Sequence, residues 1–273
     1  MTQLKTLTLC ADDFGLNPGV SQGILQLINM QRLSAVSCMV NMPDFQTHAL
    51  QLVPLKNKVQ CGLHFNMTEG YFISAPQQPC FGLNELLIKT HLGLIKSSFI
   101  EQELNAQLDR YTQLMGSLPD FIDGHQHVHQ FPKIRAIILK VYEQRLKANN
   151  SWIRTTYPAY TLPQFQFKGR VLALTGGKSF YHQLKYRRIS HNDYFSGVYD
   201  FNPSLSYRAL FRGWLNKAQP NTLIMCHPGY KDGSHSDAIA LARTAEWSYL
   251  ASDEFLEDCA EYNVHLTTGP KSG

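Results

Sequence analysis

No run of apolar residues in this sequence is long enough to span a bilayer. Charge is sparse as well. Asp, Glu, Lys and Arg make up 17% of the chain, and the formal net charge is only +4. The densest basic cluster, Lys185, Arg187 and Arg188, is no larger than an ordinary solvated patch, so nucleic acid is not an expected partner. None of the six cysteines forms a Cys-x-x-Cys pair. Cys10, Cys38, Cys61 and Cys226 lie in or beside apolar runs, as reduced core thiols do. There is no Gly-x-Ser-x-Gly elbow, which disfavours a serine hydrolase, and no Walker A loop or G-x-G-x-x-G fingerprint. The start, Met1-Thr2-Gln3-Leu4-Lys5, leads into a short apolar run with Asp12 and Asp13 close behind, unlike a secretory leader. The expectation is a cytoplasmic protein without an integral membrane segment.

What is present is a globular composition with 44% hydrophobic residues and a regular alternation of short and long periodic segments. Residues 6–10, 35–40, 59–64, 121–123, 151–154, 221–226 and 264–267 read as short buried strands. Helical spacing predicts helices over 18–30, with Val20, Ile24, Leu27 and Ile28 on one face, and over 97–115, with Ile100, Leu104, Leu108 and Tyr111 on one face. Further helical patterns cover 45–52, 84–92, 131–146, 205–218 and 238–262. Residues 65–82 read as a long loop, the kind that tends to be functional. Residues 155–200 carry one helical pattern near 178–185 and irregular stretches that could cover a site. The alternation predicts an α/β protein with a mainly parallel sheet, open or closed into a barrel. No internal repeat or interdomain linker is visible, so residues 1–273 read as one domain.

Four polar clusters each end a predicted strand: Ala11-Asp12-Asp13-Phe14-Gly15, Gly62-Leu63-His64-Phe65-Asn66, Asp123-Gly124-His125-Gln126-His127-Val128-His129 and Met225-Cys226-His227-Pro228-Gly229. In a parallel barrel those ends share one rim, where catalytic groups collect. Asp12 and Asp13 could cap a helix, but Asn17-Pro18 is the better cap for the helix that follows. Consecutive strand residues point to opposite sides, so a turn would be needed to bring both carboxylates into one cavity. One could bind a metal while the other deprotonates water. A lone His64 is more often a hydrogen-bonded core residue than a ligand, and gains weight only beside the other clusters.

His125, His127 and His129 would share a face on extended backbone, whereas on a helical turn His125 and His129 would. Either arrangement offers a metal one or two imidazoles, with Asp123 able to orient a ring. Pro228-Gly229 favours a turn that aims His227 into the rim. Arg154, at the end of the strand 151–154, is a further candidate. Two histidines and a carboxylate suit a catalytic divalent ion, Mg or Zn, with imidazoles favouring the latter. A histidine of ordinary pKa, about 6.5, suits proton donation to a leaving amine and predicts a bell-shaped pH profile.

In order and spacing these four motifs resemble the YdjC-like carbohydrate deacetylases, which include chitooligosaccharide deacetylases and the deacetylase of hopanoid side-chain synthesis. The resemblance covers nearly the whole chain. It implies a (β/α) barrel-like fold, a distorted or incomplete TIM-type barrel. It implies removal of the acetyl group from an N-acetylated sugar, either an N-acetylglucosamine-containing oligosaccharide or a glycolipid. By the same resemblance Asp13, His64 and His125 hold one divalent ion, Asp12 is the base and His227 the general acid. Asp123, His127, His129 and Arg154 stand as secondary candidates, with His127 or His129 as a substitute ligand for His125. The implied partner is a small carbohydrate, and a homodimer is the assembly considered. Two competing readings are a metal-dependent phosphoesterase or amidohydrolase on a similar barrel and a sugar- or metal-binding protein without catalysis. The first usually places His-x-His after the first strand, where this chain has Asp12-Asp13. The second needs no acid–base pair.

Overall fold

The structure, a computed structural model, describes residues 4–230 and 237–269. The first three residues, on which the expectation about a leader partly rests, lie outside the described residues. The chain opens with β1 (Lys5–Phe14), α1 (Pro18–Asn29), β2 (Ala35–Cys38), α2 (Pro43–Leu52) and β3 (Gln60–Phe65). After a long loop come α3 (Leu83–His91), α4 (Ser97–Met115), β4 (Phe121–Gly124), α5 (Pro132–Val141) and β5 (Trp152–Ile153). The second half contributes α6 (Gln166–Leu172), α7 (Lys178–Arg187), β6 (Tyr194–Ser196), α8 (Tyr207–Lys217) and β7 (Thr222–Cys226). It closes with α9 (Ala240–Ala251), α10 (Asp253–Glu261) and β8 (Val264–Leu266). No described helix is long and apolar enough to cross a membrane.

The described strands form one parallel sheet in the order β5-β4-β3-β2-β1-β7-β6, with β8 paired to the first residues of β1. Its two ends meet through a single bridge between Ala159 and Phe195. Around that bridge Tyr160 N donates to Phe195 O at 2.7 Å and Phe195 N donates to Pro158 O at 3.0 Å. The result is a distorted (β/α) barrel in which an irregular stretch after β5 replaces a full strand pairing.

Strand periodicity sorts the side chains into two cores. Outward-facing Leu7, Leu9 and Ala11 of β1 pack with the helices, including the predicted α1 face of Val20, Ile24, Leu27 and Ile28. Inward-facing residues form a separate interior cluster of Cys10, Ala35, Phe121, Trp152, Phe195, Leu223 and Met225. The Phe121 and Trp152 rings stack there at 4.2 Å and 14°. Gly62 of β3 makes room for them, because a Cβ at that position would collide with the Phe121 ring. Two residues further along each strand, the next inward positions are Asp12, Ser37, His64, Asp123 and Arg154. An apolar plug therefore fills the barrel, and a polar layer sits directly on top of it at the carboxyl end.

Several segments differ from their sequence reading. β1 runs on through Asp12 and Asp13 to Phe14, so the acidic pair lies within the strand. The final helical pattern is broken at Ser252 into α9 and α10. Asn17 does cap α1, accepting from Val20 N at 2.9 Å, an interaction worth about 1 kcal/mol. Neither β6 nor α6 was legible. β6 is only three residues long, and α6 buries none of its residues, so no stripe of it faces the core.

Candidate active site

Asp13 is the first local surprise. Its φ is +69°, a left-handed conformation that Asp tolerates better than most residues. The β1–β2 register shifts between Ala11 and Phe14 at the same place. In an unbroken strand Asp13 would face the helices; the bulge turns it into the cavity beside Asp12. Both carboxylates are buried, at 2% and 1% exposure.

Asp13 then gathers two imidazoles and a guanidinium. Its Oδ1 lies 2.9 Å from His125 Nδ1 and 3.3 Å from His64 Nε2, and its Oδ2 accepts from Arg243 Nη2 at 2.8 Å. Burial alone would raise its pKa, but Arg243, His125 and His64 hold the carboxylate well below its usual range. One donor atom from each of Asp13, His64 and His125 falls within 4.8 Å of the others. Asp13 and His64 are the penultimate residues of β1 and β3, and His125 directly follows β4.

The polar layer beneath is continuous. His64 Nδ1 lies 2.6 Å from Asp123 Oδ1, which also accepts from Ser37 Oγ. That contact occupies one ring nitrogen and leaves Nε2 facing Asp13. Arg154, fully buried, donates from Nη1 to Asp12 Oδ2 at 2.7 Å and from Nη2 to Asp12 Oδ1 at 2.6 Å. The same Nη2 lies 2.6 Å from Asp123 Oδ2. Burial works against the charge on Asp12, yet Arg154 holds its pKa below the usual carboxylate value.

His227 follows β7 on the opposite side of the cavity. Its Nε2 is 3.9 Å from Asp12 Oδ2, and Phe201 meets its ring edge-on at 5.1 Å. Phe201 is itself at φ +59°, a strained conformation for an aromatic residue of the kind that clusters at functional sites. Glu246 of α9 fixes the His227 backbone, accepting from its N–H at 2.5 Å, while Tyr199 Oη donates to Glu246. Burial pushes Glu246 up to about 7 and His227 down to about 4.

The histidine segment adopts neither of the two conformations read from the sequence. Gln126 and His127 are both left-handed, with φ of +51° and +59°, so the three imidazoles part company. His125 reaches Asp13. His127 lines the cleft, with its ring 5.6 Å from Phe195. His129 turns inward, its Nε2 3.2 Å from the Arg154 carbonyl and its ring against Phe180.

Ser37, Tyr199, Phe201, Arg243 and Glu246 were not anticipated. Arg243 and Glu246 stand three apart in a helical pattern, where charged residues ordinarily mean a solvated face. Their one sequence signal was their proximity to buried-type neighbours, Ala242 and Tyr249.

Asp12, Asp13, His64, His125, His127, His227 and Arg243 form the floor of a cleft of about 730 Å³. Its walls come from the 65–82 loop, which contributes Glu69, from α3 and α6, and from residues 198–201. Asn66 shapes that loop by accepting from Thr68 N at 2.9 Å and Glu69 N at 3.0 Å.

Fold and site together define a parallel barrel with two histidines and a carboxylate at its mouth, next to an arginine-clamped second carboxylate. The chain belongs to the YdjC-like protein family, whose model matches residues 6–261. A carbohydrate deacetylase of Brevibacillus brevis is 27% identical over 274 residues, which is 98% of this chain and 99% of that one. A carbohydrate deacetylase of Danio rerio is 33% identical over 147 residues, 50% of this chain and 45% of the relative. A chitooligosaccharide deacetylase of Yersinia enterocolitica is 31% identical over 138 residues, 49% of this chain and 54% of the relative. The match thus spans about half the length of these last two. Among solved structures, an Enterococcus faecalis protein named for cellobiose-phosphate cleavage superposes with a TM-score of 0.76 at 18% identity, covering 97% of each chain. A family 4 acetyl xylan esterase from Clostridium thermocellum, solved with cobalt, gives a TM-score of 0.52 at 10% identity, covering 96% of this chain and 87% of that one. Both share the fold.

Proposed function

We propose that the protein is a metal-dependent carbohydrate deacetylase that hydrolyses the N-acetyl group of an amino sugar to acetate and a free amine. The observation that carries this reading is the convergence of Asp13, His64 and His125 beside Asp12, with His227 across the cavity. The names carried by the relatives support the substrate class.

The donors fit one divalent ion. Asp123 occupies His64 Nδ1 and leaves Nε2 toward Asp13, and a two-imidazole, one-carboxylate set suits a transition metal such as Zn better than Mg. Bound among these residues, a divalent cation supplies a Lewis acid that polarises the acetyl carbonyl and acidifies a water molecule. The remaining steps belong to the side chains. Asp12, made a weak base by Arg154, takes a proton from the attacking water. His227 is neutral at the outset because it is buried, so it must gain a proton before it can donate one. Asp12 Oδ2, 3.9 Å away, is its nearest carboxylate source. His227 then delivers that proton to the amide nitrogen as the C–N bond breaks, and acetate and the amine leave.

A site built only for binding would have no use for this proton route, and the Asp12-Asp13 start departs from the His-x-His of barrel phosphoesterases. The decisive experiment is acetate release from N-acetylglucosamine oligomers with and without added Zn, Mg or Co, and after chelation. Metal-stimulated acetate release is expected. Sugar binding without acetate release under all metals would overturn the reading.

A further inference from the structure

Two guanidinium groups hold the adjacent carboxylates, and they hold them differently. Arg154 closes on Asp12 as a fork, donating to Oδ2 at 2.7 Å and to Oδ1 at 2.6 Å, so both oxygens of Asp12 are engaged. Arg243, on α9 and also buried, gives Asp13 a single bond, from Nη2 to Oδ2 at 2.8 Å. Its Nε donates instead to Asp237 Oδ2 at 2.7 Å, and its Nη1 donates to the His227 carbonyl at 3.5 Å. A fork onto Asp13 would need Nε or Nη1 beside Nη2, and both are turned to other acceptors.

The two oxygens of Asp13 therefore have separate tasks. Oδ1 faces the imidazoles, 2.9 Å from His125 Nδ1 and 3.3 Å from His64 Nε2. Oδ2 is occupied by a charge-assisted bond to a buried cation. A carboxylate free to offer both oxygens raises the coordination number of a metal and suits hard ions. A single carboxylate oxygen beside two imidazoles suits Zn, which prefers few ligands.

The geometry points to Arg243 as the residue that sets the metal preference of the site: by occupying Asp13 Oδ2 it limits Asp13 to one oxygen. Arg243 is a positioning residue that acts through Asp13, and Asp237 in turn aims Arg243. The inference rests on Asp13, His64 and His125 being the cation site of the proposed reaction. Discrimination between Zn and a harder ion then comes partly from a side chain outside the donor set.

Affinities for Zn and for Mn, each measured with the metal alone by chelator competition at one pH, test this. Both ions carry two charges, so loss of the guanidinium charge shifts both affinities alike. A general loosening of the site weakens both together. The Zn-to-Mn affinity ratio isolates the number of oxygens offered. Arg243→Met is expected to lower that ratio about tenfold or more, the scale on which outer partners of metal ligands act. Arg243→Lys, whose ammonium can still donate to Oδ2, should restore most of the ratio. A crystal structure of the Zn-loaded wild-type protein needs no variant to fold. In it Asp13 should bind through Oδ1 alone, at about 2.0–2.2 Å, with Oδ2 still on Arg243.

Binding of Zn through both oxygens of Asp13, or an unchanged ratio in folded Arg243→Met, would overturn the assignment. Failure of the wild-type protein to bind either ion would overturn it too, together with the metal dependence of the proposed reaction. Zn binding without acetate release is instead a failure of the deacetylase reading alone, and the affinity ratio still decides the role of Arg243.

Discussion

Asp123 Oδ1 lies 2.6 Å from His64 Nδ1, so the ring that faces Asp13 is held from behind by a buried carboxylate. Such a contact fixes the orientation of an imidazole and raises its basicity toward a metal. Asp123→Asn is expected to weaken metal binding about 10–100-fold, since outer partners of ligating histidines typically matter on that scale. Competition with a chromogenic chelator would measure it. Unaltered affinity in that variant would show that His64 needs no support.

The three donors make a second expectation. Asp13→Ala, His64→Ala and His125→Ala should each lose bound metal and acetate release together, whereas His129→Phe should keep both, because His129 faces Phe180 and the Arg154 carbonyl. Metal content by mass spectrometry of the purified variants checks this. Retention in His125→Ala with loss in His129→Phe would move the site to the other end of the histidine segment.

Asp12 and Arg154 form a buried pair whose loss has two consequences. Asp12→Asn should lower turnover about 10²–10⁴-fold, the usual cost of removing a general base. It should also lower the melting temperature, since it leaves Arg154 with Asp123 as its only carboxylate partner among those described. Metal content should stay near that of the wild type. Normal turnover per metal-loaded molecule would make Asp12 structural.

His227 departs from the expectation drawn from an ordinary imidazole. Burial pushes it down to about 4 against the pull of Asp13 and Asp12, so it is neutral near pH 7 and its charging belongs to the acid side of the profile. Turnover at saturating metal should hold steady from about pH 8 to pH 5 and fall below that, as His227 arrives already protonated and can no longer take a proton from Asp12. His227→Gln should lose about 10²–10⁴-fold with metal retained. An alkaline limb that disappears in His227→Gln would restore the bell-shaped profile expected from the sequence.

Folding stability should carry the same sign. Burial also lowers His129 to about 4 and His127 well below its usual value. Between the unfolded pKa of about 6.5 and the folded one, the unfolded chain binds protons that the folded chain does not. Stability is therefore fully present above about pH 6.5 and declines as pH falls toward 4. His129 alone contributes up to about 3 kcal/mol to this loss. Urea midpoints measured from pH 7 to pH 4 should fall steeply in the wild type and less so in His129→Phe. A flat wild-type profile would contradict the buried neutral state.

Much of this was legible in the chain because the proposed catalytic groups lie near the ends of strands whose apolar runs were plain. Leu7 to Cys10, Cys61 to Leu63 and Leu223 to Cys226 announce buried strands, and Asp13, His64 and His227 stand at or just past their ends. The face of α4 carrying Ile100, Leu104, Leu108 and Tyr111 was equally plain. What stayed hidden depends on backbone torsions or long-range pairing. The left-handed turns at Asp13, Gln126 and His127 break the periodicities used to assign side chains to faces. Arg243 comes from a helix 230 residues beyond its carboxylate partner, and its apolar neighbour Ala242 marks the position as buried but not as part of a site. α6 hid for the opposite reason: its apolar side chains face a cleft rather than a core.

The bulge at Asp13 has a consequence for how the site keeps its dimensions. Asp12 and Asp13 are covalent neighbours, their Cα atoms about 3.8 Å apart across one trans peptide. Bond lengths therefore fix how far apart the two side chains start, and only the torsions between them remain to be set. Arg154 holds Asp12 and Arg243 holds Asp13, each from a different part of the chain. The proposed proton acceptor and the carboxylate that would hold the cation thus share one backbone segment, whereas His64, His125 and His227 reach the site from three separate strands and depend on how those strands pair.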